Sequence, residues 1–288
     1  MIPSLPRGPL ERLAVAGYVA TFFLFLFLPL AVVAVFAFND ANYPAPPWRG
    51  FTLDWFVGSA ARGRTGLFAD RVLLSSLWTS VVVAAWVSVM AVAAGTANAF
   101  LLERASFRGK AALSLAMLAP LVIPGVILGI SILAFASRLA RFADDFLGLE
   151  LEFLRPGLPL VVAGQFSFIV SIATLTVAAR LKRFDSALEE AALNLGATRT
   201  AVLWTVTLPY LKPALAGTAA IAFLMSFENF NTTLMLVGSD PPLTVMMYGR
   251  MREGATPVLN AVSLFLMLAS ALLALVLVRR PANARAAA

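Results

Sequence analysis

The chain has 288 residues, of which 60% are apolar and only 13% charged, and its formal net charge is +7. A soluble domain carries about 45–50% apolar and about 25% charged residues, so this chain has too little polar surface to cover a water-soluble globule, and a disordered chain is excluded for the same reason. It has no cysteine and no histidine, which removes disulfides, thiolate nucleophiles, Ser-His-Asp triads and H-E-x-x-H zinc sites.

What remains is an all-α membrane protein, and its spans read off in order. A hydrocarbon core of about 30 Å takes about 20 helical residues, and six apolar stretches reach that length. The first, 13–38, is longer than the apolar region of a signal peptide and is expected to persist as a span kinked at Pro29. The second is 72–100. The third, 111–136, contains Pro120 and Pro124-Gly125. The fourth, fifth and sixth are 158–179, 211–237 and 258–278. Strand barrels need short alternating segments; these runs are continuous. With no internal repeat or linker, 1–288 reads as a single membrane domain. The tail from Arg279 to Ala288 reads as disordered. Trp48, Trp55 and Trp78 are expected in an interfacial aromatic belt.

An even number of spans puts both termini on one side. That side carries 13 of the Lys and Arg residues against 9 on the other, so it is expected to face the cytoplasm. The basic charge is then an effect of the anionic leaflet, with membrane lipid as the partner and no nucleic acid implied.

The loop at 180–210 between spans four and five carries the most information. Ser186-x-x-Glu189 fits a capping box opening a helix. Ala187, Leu188, Ala191, Ala192 and Leu195 make its apolar stripe, and Gly196 stands where a C-terminal turn glycine belongs. Thr198 can cap a second helix, and Leu208-Pro209 is expected to close that helix before span five. A short amphipathic helix pair of this kind suits the groove of a partner protein.

At membrane depth an ionisable group costs roughly 2.5–3.5 kcal/mol. Glu228 is the one acid placed well inside a span, in Ser226-Phe-Glu-Asn-Phe-Asn-Thr-Thr233. Helical spacing puts Thr232 near its face, flanked by Asn231. Two readings stand: a bundle-facing patch of interhelical hydrogen bonds, or a translocation path. Gln165, Ser167 and Ser171 form a milder patch on span four, read as structural.

Glu190-Ala191-Ala192-x-x-x-Gly196-x9-Val206-x-Leu208-Pro209 resembles the EAA loop of bacterial binding-protein-dependent ABC-importer permeases, with Val206 in place of the usual isoleucine. Phe51-Thr-Leu-Asp-Trp-Phe56, Arg180-Leu-x-x-Phe-Asp185 and Leu243-Thr-Val-Met-Met-Tyr248 extend the likeness, which is greatest to the C-type permease subunit of spermidine/putrescine importers. The resemblance implies a polytopic six-span bundle of the type I (MetI-like) architecture in the bacterial inner membrane. It implies ATPase-coupling roles for Glu189, Glu190, Ala191, Ala192, Gly196, Leu208 and Pro209; on the translocation-path reading of the polar stripe, the substrate path runs along Glu228, Asn229, Asn231 and Thr232. The resembling polyamine permeases carry paired acids where this chain reads Glu228-Asn229. The implied partners are an ATP-binding subunit dimer, a second, different permease subunit and a periplasmic solute-binding protein. The implied cargo is a polyamine, with thiamine, ferric iron or aminoethylphosphonate as alternatives.

The chain is expected to be no enzyme and to hold neither metal nor cofactor. A P-loop needs G-x-x-x-x-G-K-[ST]; only Lys110 follows a glycine, and Ala111 follows it where a hydroxyl is required. Nucleotide is therefore expected on another polypeptide. An ion-coupled secondary transporter would place its coupling at Glu228 and leave the EAA-type loop without a role. An intramembrane enzyme would have one acid in a span to work with.

Overall fold

In the computed structural model, residues 8–254 and 256–278 are described; Arg7 and the tail from Arg279 lie outside them. The helices in chain order are α1 (Pro9–Phe36), α2 (Asp54–Val57), α3 (Arg71–Arg104), α4 (Lys110–Val122), α5 (Gly125–Leu147), α6 (Leu158–Leu181), α7 (Ala187–Asn194), α8 (Arg199–Val202), a π-helical turn (Leu203–Thr207), α9 (Leu208–Phe227), α10 (Asn231–Leu236), α11 (Leu243–Gly254) and α12 (Val258–Val278). The described residues contain isolated β-bridges but no named strand, as an apolar chain must when its backbone groups are satisfied within each helix. Among the described residues, five helical stretches are long and apolar enough to span a membrane: α1, α3, α5, α6 and the continuous run Arg199–Phe227. Two shorter apolar helices are α4 and Val258–Leu272 of α12.

Three expected boundaries move. The stretch at 111–136 is two helices, because Ile123 is extended (φ −76°, ψ 127°), the conformation that a following proline imposes. Behind Pro124 the chain re-enters a helix that runs on to Leu147; its charged residues end the apolar run but not the backbone ladder. Leu208-Pro209 does not close a helix. The chain is helical from Arg199 through Phe227, and the π turn just before Pro209 widens the ladder where proline's missing N–H and ring would disturb an α turn. The fifth span then stops at Phe227, short of Val237.

The contacts divide the chain into two units. One holds the described residues up to Leu74 and those beyond Tyr248. In it α1 and α2 pack on α12. Helix α1 runs through Pro29 and buries none of its side chains. Trp55 is buried rather than interfacial: its indole N–H donates to the Asn39 carbonyl at 2.8 Å, and the Arg64 guanidinium lies 4.6 Å above its ring. Trp48 is exposed. Asp70 heads α3, accepting from the Val72 and Leu73 amides at 3.1 and 3.0 Å, and pairs with Arg250 at 2.5 Å. Burial alone would raise the Asp70 pKa; the hydrogen bonds from Arg250 and the two amides, with the arginine's charge, outweigh it and hold the carboxyl below the ordinary value.

The second unit is Ser75–Tyr248. Its core joins Val87 and Ala91 of α3, Ile169 and Ala173 of α6, Ala222 of α9 and Leu236 of α10. Small residues let these helices meet closely. A Cβ on Gly95 would lie 2.7 Å from the Ala173 Cβ and 2.9 Å from the Thr174 amide nitrogen, and one on Gly164 would overlap Leu236. A second cluster, with Ala99, Val177, Leu181, Phe184 and Leu211, underlies the 180–210 loop.

Candidate functional site

The loop folds as a helix, a glycine bend and a second helix. The bend is a Schellman turn: Gly196 has φ +88°, the Ala197 amide donates to the Ala192 carbonyl at 3.1 Å, and the Gly196 amide donates to Leu193 at 2.9 Å. Thr198 caps the following helix, accepting from the Ala201 amide at 3.2 Å. The Ser186–Glu189 capping box does not form. Ser186 is already helical and makes no cap bond, and Asp185 accepts from the Ala187 amide instead. The Glu189 carboxylate has stronger partners than a lone amide. Arg104, the last residue of α3, reaches both of its oxygens at 3.1 and 3.2 Å, and the Thr207 hydroxyl donates to it at 2.6 Å. Such two-pronged, charge-assisted bonds are about twice as strong as neutral ones.

This arrangement sorts the loop residues by face. On α7, Glu189 and Ala192 are half-buried on the inner side. Glu190 and Ala191 are exposed, as are Leu188 and Leu195, at 54% and 89%. The expected apolar stripe therefore points largely away from the chain's own core. Leu208 is half-buried and Pro209 exposed at the start of α9. The bracing by Arg104 and Thr207 was missed from sequence, since nothing in the spacing of residues 104, 189 and 207 signals it.

The second candidate site is the interruption between α9 and α10. Asparagines favour local side-chain bonds over a continuing ladder. The Asn229 side-chain oxygen accepts from the Thr233 amide at 3.2 Å and from the Thr233 hydroxyl at 2.9 Å. The Gln165 amide donates to Thr233 at 2.8 Å and accepts from the Ser226 hydroxyl. Gln165 and Thr233 are 1% and 0% exposed. This buried network pins both sides of the break at 228–230. The break also undoes the helical spacing that paired Glu228 with Thr232. Thr232 is buried, its hydroxyl donating to the Gly125 carbonyl at 3.3 Å, and Asn229 is committed to the network. Glu228 and Asn231 are exposed, and the Glu228 carboxylate makes no hydrogen bond or ion pair among the described residues. The four expected path residues thus divide into two that pack and two that stand free. Gln165, a polar residue in an apolar run, was visible in the sequence as a patch but not as the hub of this network.

Residues 91–279, which contain both sites, match the family model of the binding-protein-dependent transport system inner membrane component. The chain belongs to this permease family. The permease is 27% identical over 243 residues to the putrescine transport system permease protein PotI of Escherichia coli (strain K12), covering 84% of this chain and 81% of that one. It is 26% identical over 260 residues, 90% of each chain, to the spermidine/putrescine transport system permease protein PotC of the same strain. Its fold is similar to that of a solved bacterial ABC transporter involved in the import of the acidic polysaccharide alginate, with a TM-score of 0.71 at 17% identity over 93% of each chain. The alginate transporter in complex with an alginate pentasaccharide-bound periplasmic protein gives 0.69 at 18% identity, over 93% and 91%. The permease is thus a multi-pass membrane subunit of an importer, and its all-α fold is the one the resemblance implied.

Proposed function

We propose that this permease couples an ATP-binding subunit to the uptake of a cationic solute, a polyamine such as putrescine or spermidine. The observation that carries the coupling is the outward face of α7. Leu188, Glu190, Ala191 and Leu195 form an exposed, partly apolar patch on a short helix whose inner face is braced against α3. A patch of that kind needs a protein to cover it. On this reading the loop and both termini face the cytoplasm, where the Lys and Arg excess places them, and the ATPase is a separate polypeptide that supplies all nucleotide chemistry. When the ATPase dimer closes, α7 moves as a rigid body and the spans rock. Import then follows from differential affinity of the two states for ligand. A second permease chain and a periplasmic solute-binding protein complete the assembly.

The cargo reading rests on Glu228. A carboxylate facing lipid would cost several kcal/mol, so an exposed, unpaired one at the helix break belongs on a wet path or against the second permease. There it attracts cations through charge-assisted hydrogen bonds. Asn229, the neighbour that a second acid would occupy, is held by Thr233. One carboxylate per chain favours a cation without demanding the longest polyamines, and the likeness to PotI and PotC supports the same class.

Co-expression with the ATPase subunit and uptake in proteoliposomes test both parts. Glu190→Lys is expected to abolish co-purification of the ATPase; retained assembly and uptake would refute the docking role. Glu228→Gln is expected to raise the putrescine concentration needed for half-maximal uptake. Unchanged uptake and selectivity would assign Glu228 to packing.

A further inference from the structure

Helix α7 is only eight residues long, too short to hold its place by helix stability alone. A groove of about 410 Å³, lined by Phe100, Arg104, Glu189, Leu193, Val202 and Thr207 among others, lies along its inner side. Across that groove the Glu189 carboxylate grips two structures at once. Arg104 terminates α3, and Thr207, 1% exposed, is the last residue of the π turn from which α9 emerges. Arg104 is itself steadied, its guanidinium lying 5.6 Å from the Phe184 ring centroid. Phe184 meets Tyr210 edge-on at 5.0 Å, and the Arg180 guanidinium sits 4.0 Å over Tyr210. The end of α3 and the π turn that opens α9 therefore meet on one carboxylate of α7, and the end of α6 backs them through the Tyr210 and Phe184 rings.

We propose that Glu189 is a positioning residue whose clasp with Arg104 and Thr207 carries the displacement of α7 into α3 and α9, while its neighbour Glu190 serves the ATPase contact. The two adjacent acids have separate jobs because they lie about 100° apart around the helix: one faces the bundle and one faces out. A helix tied only by its chain ends would reorient under load. A two-pronged arginine contact and a hydroxyl bond to a second element fix its angle, so that push and pull both reach the spans. The proposal rests on α7 being the docking helix.

The test uses the complete transporter, with both permeases, the ATPase and the binding protein, in proteoliposomes. ATP hydrolysis and putrescine uptake are measured on the same samples. Glu189→Gln is expected to keep the ATPase subunit bound and hydrolysing but to lower the uptake per ATP about fivefold or more, the low end of ordinary coupling energies. Thr207→Val, which preserves shape and removes one bond, is expected to lower it less. Arg104→Glu alone should uncouple, and combining it with Glu189→Arg should restore part of the ratio, which a general loss of folding would not do. Wild-type uptake per ATP in Glu189→Gln and Thr207→Val, or a charge-swapped pair no better than its single variants, would overturn the clasp. So would loss of the ATPase subunit from Glu189→Gln, which would make this residue part of the docking face. If Glu190→Lys retains the ATPase, the docking reading itself fails, whatever the Glu189 variants do.

Discussion

Replacing Gln165 with leucine, close to it in volume, removes two interhelical hydrogen bonds at once: one from Ser226 on α9 and one to Thr233 on α10. In a soluble core each stranded group would cost about 1–3 kcal/mol. Interhelical bonds in a membrane average only about 0.6 kcal/mol, with a maximum near 1.7, because the unfolded spans also find partners. Thr233 keeps its bond to Asn229, and Ser226 can turn to a carbonyl of its own helix. The membrane scale therefore governs, and the total loss is expected at about 1–2 kcal/mol. The informative quantity is the coupling between positions. A cycle of Gln165→Leu, Ser226→Ala and the double variant, followed by far-ultraviolet circular dichroism during SDS unfolding in mixed micelles, should give about 0.6–1.7 kcal/mol. Pairing Gln165→Leu with Thr205→Val provides the control. Thr205 donates to the Ala201 carbonyl of its own helical stretch and shares no partner with Gln165, so those changes should add. Additivity in the Ser226 cycle to within about 0.3 kcal/mol would refute the network, and with it the account of why the fifth span breaks at 228–230.

Two further outcomes follow from packing and charge. Gly95→Ala should destabilise by about 1–3 kcal/mol, the usual cost of overpacking, since its Cβ would press on Ala173 and on backbone that cannot yield. Gly217→Ala, whose Cβ meets nothing within 4 Å, should be neutral or stabilise by up to about 1 kcal/mol, and thermal unfolding in detergent separates the two. At the head of α3, the carboxyl of Asp70 is held below its ordinary 3.8. A depressed carboxyl contributes stability that is complete above the unfolded-state value and is lost as pH falls through the folded one. Asp70→Asn should therefore melt below the wild type at about pH 7, and the gap should close on acidification below 3.8. A gap that widened on acidification would mean the pair with Arg250 is not what lowers the carboxyl.

Composition determined that this chain lives in a membrane, with 60% apolar residues, and the continuous, helix-long apolar runs determined that it does so as helices, because a barrel would need short alternating segments. The loop's bend and cap were also legible, since Gly196 and Thr198 act on amides within five residues of themselves. The Ser186–Glu189 capping box failed on both sides: Asp185 takes the Ala187 amide locally, and Glu189 finds Arg104, 85 residues away, which no local window contains. The break before α10 escaped sequence reading because no proline or glycine marks it. It depends on Gln165, 68 residues from Thr233, and such a bond exists only once α6 lies against α9 and α10. Short-range chemistry is written in the order of the residues. The separation of Glu189 from Glu190, and of Asn229 from Glu228, is decided by which face of each helix finds a neighbour when the bundle packs.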